Sequence, residues 1–150
     1  MGSSKLRAGG RHKAPWHLWV VGSLAILWNG FGAYDYIMTV TEDAAYLHNF
    51  TPEQLAFFTS MPRWVVFFWA LAVWSGFVAA CLLLLRSGWA SVAYGISLAG
   101  MAISFVHNYL LANGAEIYGP AGIVMTIVLA VAAVAQFLYA RSMQRIGYLR

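Results

Sequence analysis

The chain has 150 residues, 61% of them hydrophobic and 9% charged, with a formal net charge of +4. Soluble domains are roughly 45–50% apolar and about 25% charged, so a soluble globular domain, a disordered chain and a nucleic-acid binder are all excluded. A single cysteine excludes a disulfide framework and a thiolate metal cluster, and the length suits one compact bundle.

Residues 1–14 form a polar, glycine-containing basic tail, expected to lie on anionic headgroups. Its start does not match the myristoylation pattern, because Leu6 stands where Ser or Thr is needed. Four apolar segments follow, at about 16–38, 63–85, 89–111 and 120–140. Each has more than about twenty residues, enough to cross a ~30 Å hydrocarbon core at ~1.5 Å per residue. Runs this long lack the period-two alternation of a barrel strand, and the first is too long for a signal peptide. The predicted fold is therefore all-α, a polytopic membrane protein in which 15–141 form a bundle of four transmembrane helices. A basic tail, 142–150, follows it.

Between the first two segments, Thr51-Pro52-Glu53-Gln54 combines a capping residue, Pro at the first helical position, and Gln three residues after the cap. The helix it starts carries Leu55, Phe57 and Phe58 before Pro62 stops it, and Thr41-Glu42-Asp43 can start another through Tyr46 and Leu47. Acidic residues in each first turn suit the helix dipole. These short amphipathic helices are read either as a connector with aromatic side chains dipped into the headgroup zone or as a lid over an outward-facing cavity. Arg86-Ser87-Gly88 closes an antiparallel helix hairpin, and Gly119-Pro120 starts the last segment, with Pro where a helix tolerates it best.

The charges orient the chain. Lys5, Arg7, Arg11, Lys13, Arg86, Arg141, Arg145 and Arg150 fall on one side with no acid among them. Asp35, Glu42, Asp43, Glu53 and Glu116 fall on the other, with Arg63 alone opposing them. The positive-inside rule then places both termini in the cytoplasm.

Polar side chains inside so apolar a chain are where function is sought. Asn29 sits near the middle of the first segment, read as interhelical glue or as part of a site. Ser97, Gly100, Ser104 and Asn108 recur on one face of the third segment, and Ala72, Gly76 and Ala80 form a ridge in the second. Small residues at this spacing let helix backbones approach closely, so Gly76, Gly100, Ser97 and Ser104 are assigned to helix packing. Asp35 and His107 each lie about one turn inside the outer end of a segment. At a shared depth they could pair and carry a proton, with Asn108 or Tyr109 serving Asp35 if the helix is rotated, or each could reach separately to the headgroups. Gln136 is read as reaching the cytoplasmic interface. His17 and His107 lie near opposite ends of the bundle, about 25 Å apart along the membrane normal, so no bis-histidine haem is expected. No catalytic motif and no metal-ligand spacing is present, and the expectation is of no enzyme, no cofactor and no metal.

Pro15-Trp16-His17-Leu18-Trp19, Leu27-Trp28-Asn29, Tyr34-Asp35-Tyr36-Ile37-Met38-Thr39 and Phe50-Thr51-Pro52-Glu53-Gln54 resemble a family of small four-helix alphaproteobacterial inner-membrane proteins. Leu82-Leu83-Leu84-Leu85-Arg86-Ser87 and Gly122-Ile123-Val124-Met125-Thr126 extend the resemblance over nearly the whole chain after the tail. Members are described as "sugar transporter" or "integral membrane protein", so the resemblance implies an inner-membrane location and a solute-transport function. It assigns no site residues.

Two functions follow. The first is an accessory subunit packing against other inner-membrane proteins, in a respiratory or photosynthetic assembly, or against itself. The second is a small-solute, sugar-like or proton-coupled transporter acting as an oligomer. Membrane lipids are expected partners in both, and nucleic acid in neither.

Overall fold

The computed structural model describes residues 13–150; the basic segment through His12 lies outside them. The described residues are helical, with no strand among them. Helix α1 spans Trp16–Val40 and starts after Pro15. Asp43 caps the four-residue α2, Ala44–Leu47, through the Tyr46 backbone N–H at 2.9 Å. Thr51 and Gln54 close a reciprocal capping box on α3, Pro52–Thr59, so two amide donors that the helix leaves free are satisfied locally. Helix α4 spans Arg63–Leu84, and the turn to α5, Trp89–Val106, places Arg86 at φ 58°. A π-helical turn, His107–Leu111, continues α5. Helix α6 spans Gly114–Ile146 and breaks at Gly119, whose φ of 64° and ψ of −174° suit a residue without Cβ. The break falls just before Pro120, which has no N–H to offer the preceding turn.

Three helical stretches are long and apolar enough to cross a membrane: α4, α5 with its π turn through Leu111, and α6. Helix α1 is not among them. It has the length, at 25 residues, but His17, Asn29, Asp35 and its Trp and Tyr residues dilute its hydropathy.

Packing is closest between α4 and α5, then between α1 and α4, then between α5 and α6. The α1 and α6 backbones stay apart, and side chains bridge them. A tight core occupies one end, where Leu18 and Ala25 of α1 meet Ala79, Ala80 and Leu83 of α4, Ala90 and Tyr94 of α5, and Ala140 and Met143 of α6. Residues 142–150, expected as a separate tail, instead continue α6 to Ile146 and then fold back. Gly147 turns the chain at φ 89°, Leu149 enters the core, and Arg150 exchanges backbone hydrogen bonds with the Arg86–Gly88 turn at 2.9 and 2.6 Å. Leu149 explains the departure: an apolar side chain at the chain's end gains by joining the core. At the opposite end α2 lies on α1 and α3 on α6. None of the most apolar stretch of α6 is buried inside the molecule.

Candidate functional site

The Asn29 side-chain amide of α1 donates to the Ala25 carbonyl and to Gln136 Oε1 of α6, each at 2.7 Å. Room for it comes from α4: a Cβ at Gly76 would stand 2.6 Å from Asn29 Oδ1 and 3.0 Å from Ser97 Oγ. Ser97 Oγ donates across the α4–α5 contact to the Ala72 carbonyl at 2.6 Å. One turn further along α5, a Cβ at Gly100 would meet the Phe68 carbonyl oxygen at 2.8 Å and the Ala72 nitrogen at 3.0 Å. Ser104 Oγ donates within its own helix to the Gly100 carbonyl at 3.0 Å. Glycine lets the two backbones touch, and the serines satisfy themselves on carbonyls rather than facing hydrocarbon.

Three further bonds tie helices together. His17 Nδ1 and the Tyr139 hydroxyl lie 2.6 Å apart, joining α1 to α6. The Tyr109 and Thr126 hydroxyls lie 2.5 Å apart, joining the π turn to α6. Ser91 Oγ donates to Gln144 Oε1 at 2.5 Å, joining α5 to α6.

At the end of the bundle away from the Arg86 turn, Asp35 and His107 have different partners. The Asp35 carboxylate accepts a hydrogen bond from the Tyr46 hydroxyl of α2. His107 packs edge-on to Trp64 of α4, ring centroids 5.2 Å apart, and its Nδ1 lies 3.2 Å from the Asn108 side-chain oxygen. The reason is azimuthal. Helices α1 and α5 each pack on α4 far more closely than on each other, which leaves the two groups on separate faces. Burial and the neighbouring Asp35 carboxylate push the Tyr46 hydroxyl well above its ordinary pKa of 10. On α3, Glu53 is held below the ordinary carboxylate value, by its own backbone N–H and then by the Thr51 hydroxyl.

Above Asp35 an aromatic chain roofs the bundle. Tyr46 meets Tyr34 and Phe50 at 5.8 and 5.7 Å, Phe50 meets Phe58 at 5.6 Å, and Phe58 stacks on Trp69 of α4 at 6.4 Å. Phe57, buried, meets Tyr118 of α6 at 5.4 Å. Edge-to-face pairs at such distances hold by quadrupole attraction as well as by buried area.

Between this roof and the tight core lies a cavity of about 340 Å³. All four long helices line it: Asn29 and Asp35 from α1, Trp69 and Ala72 from α4, Tyr94, Ser97 and Ser104 from α5, and Gln136 from α6. Of the candidate polar residues, Asn29 and Asp35 line this cavity, and Ser97 and Ser104, assigned from the sequence to helix packing, line it too. Gln136 as the partner of Asn29, Tyr46 as the partner of Asp35, and Tyr94 on the wall were missed. The signal for Gln136 was available: a carboxamide in an apolar helix requires a partner. Asn108 and His107 do not line the cavity. Among the described residues, no three His, Cys, Asp or Glu side chains group so as to hold a metal ion.

Fold and site together define an all-helical chain with three membrane-crossing candidates around a largely apolar cavity. No family model, no curated protein and no solved structure matches it.

Proposed function

We propose that the chain is a four-span integral protein of a bacterial inner membrane, with α1 as the fourth span and both termini cytoplasmic. At 25 residues, α1 extends ~37 Å. Its outward residues Leu24, Leu27 and Phe31 are more than half exposed, which suits a lipid-facing stripe, while Asn29 and Asp35 find partners within the molecule. The orientation rests on the basic residues gathered on one side.

On this reading the protein is a non-enzymatic accessory subunit. It packs against other inner-membrane proteins, in a respiratory or photosynthetic assembly, or against a second copy. The carrying observation is that polar side chains within the bundle bond to one another across helices: Asn29 to Gln136, Ser97 to the Ala72 carbonyl, and Tyr109 to Thr126. A sugar needs a path of unmatched donors and acceptors, and these groups are largely matched already. They act as a framework.

The test is to extract the protein from its native membrane in mild detergent, size it, and reconstitute it in proteoliposomes. The expected result is elution in an assembly much larger than the 16.5 kDa chain with its micelle, and no saturable sugar flux. Elution of the lone chain, with saturable uptake in vesicles, would contradict this reading and favour the transporter.

A further inference from the structure

The cavity is lined mainly by apolar and aromatic side chains, among them Trp28, Phe31, Trp69, Met101, Phe105 and Leu129. Its size is at the lower end of small-molecule sites, about 300–1,000 Å³. Phe31 of α1 and Met125 of α6 line it while being 68% and 55% exposed. The mouth therefore opens sideways, along the seam between α1 and α6. Helices α1 and α6 are not among the closely packed pairs.

The wall carries donors in need of an acceptor. The Tyr94 hydroxyl is buried without a partner among the described residues, and a buried unpaired hydroxyl is costly. Gln136 has its carboxamide oxygen taken by Asn29, which leaves the amide NH₂ to donate. The one carboxylate on the wall, Asp35, accepts from Tyr46 through Oδ1. Tyr94 and Gln136 thus offer donors set among aromatic rings, beside acceptors at Asn29 Oδ1 and Asp35.

We infer that this cavity binds a lipid-soluble small molecule with an apolar body and a carbonyl-type oxygen, admitted from the bilayer between α1 and α6. The carbonyl accepts from Tyr94 or Gln136, and the body packs against the aromatic wall. Access from the lipid side rests on the four-span reading. The sidedness of α1 is measured independently by cysteine labelling, so failure of one reading is distinguishable from failure of the other.

The probe is a decyl-substituted benzoquinone added to the full chain in nanodiscs, and the readout is quenching of tryptophan fluorescence, since Trp28 and Trp69 line the cavity. Quenching should saturate in the wild type. Gly32→Leu should abolish saturation by filling the mouth: Gly32 lines the cavity and a Cβ there meets nothing within 4 Å, so the side chain starts into open space. Ala133→Phe does the same from α6. Tyr94→Phe should weaken binding about three- to tenfold, the worth of one neutral hydrogen bond, and decylbenzene, which lacks the carbonyl, should compete at least several-fold less well than the quinone. Quenching that rises linearly with probe and is unchanged in Gly32→Leu and Ala133→Phe would overturn the site. Equal competition by decylbenzene would overturn recognition of the carbonyl.

Discussion

Gly100 lies so close to α4 that its hydrogen faces the Phe68 carbonyl oxygen, where a Cβ would stand at 2.8 Å. That neighbour is backbone and cannot swing aside. Gly100→Ala is therefore expected to lower stability in detergent by about 1–3 kcal/mol, the usual range for overpacking, whereas Gly32→Ala, with open space around it, should melt like the wild type. Equal melting of the two variants would show that α4 and α5 are not in such contact. For Asn29 and Gln136, a double-mutant cycle of Asn29→Ala and Gln136→Ala should give a coupling of about 0.6–1.7 kcal/mol, the span measured for hydrogen bonds between membrane helices; a coupling near zero would remove the bond. At this scale the sequence is only partly legible. Depth along a helix can be counted from residue numbers, and on that count Asp35 and His107 were expected to match. Azimuth depends on which helices become neighbours, and so the Tyr46 partner of Asp35 was invisible.

For the helices, the apolar runs announced α4, α5 and α6 because no charged residue interrupts them over some twenty residues. The end of α6 was harder. With the last segment stopped at residue 140, Gln136 falls about one turn from the interface and needs no partner. The helix in fact runs on to Ile146, which moves Gln136 ten residues, ~15 Å, in from its end and level with Asn29. Arg141 and Arg145 misled here: basic residues in a last turn can as readily favour a helix as end it.

The roof formed by α2 and α3 depends on the bond from Tyr46 to Asp35. Because the pKa of Tyr46 is raised above its unfolded value of 10, its contribution is complete below pH 10 and is lost as pH climbs toward the raised value. The thermal stability advantage of wild type over Tyr46→Phe should accordingly be present at pH 8 and shrink above pH 10. An advantage that stays constant into strong alkali would mean the hydroxyl makes no such contact. Amide exchange should also rise across Ala44–Phe50 in Tyr46→Phe and remain unchanged in α4.

The molecule as a whole presents an uneven bundle, dense at the Arg86 end, hollow in the middle and capped by aromatic rings at the other end. Its surface is apolar where helices face outward, with Leu24 and Leu27 on α1, Phe67 on α4, and Val124 and Val131 on α6 all exposed. In water such a surface would be an aggregation liability; in hydrocarbon it needs no cover. The central claim is that α1, the one long helix outside the three membrane-crossing candidates, crosses the bilayer with the rest. Single cysteines at Lys13 and Glu53, in a Cys81→Ser background, flank α1 and are tested with a membrane-impermeant thiol reagent on intact spheroplasts. The account expects Glu53→Cys to label at once and Lys13→Cys to label only after lysis; labelling of both before lysis, or of neither, would put the two positions on one side and contradict a spanning α1.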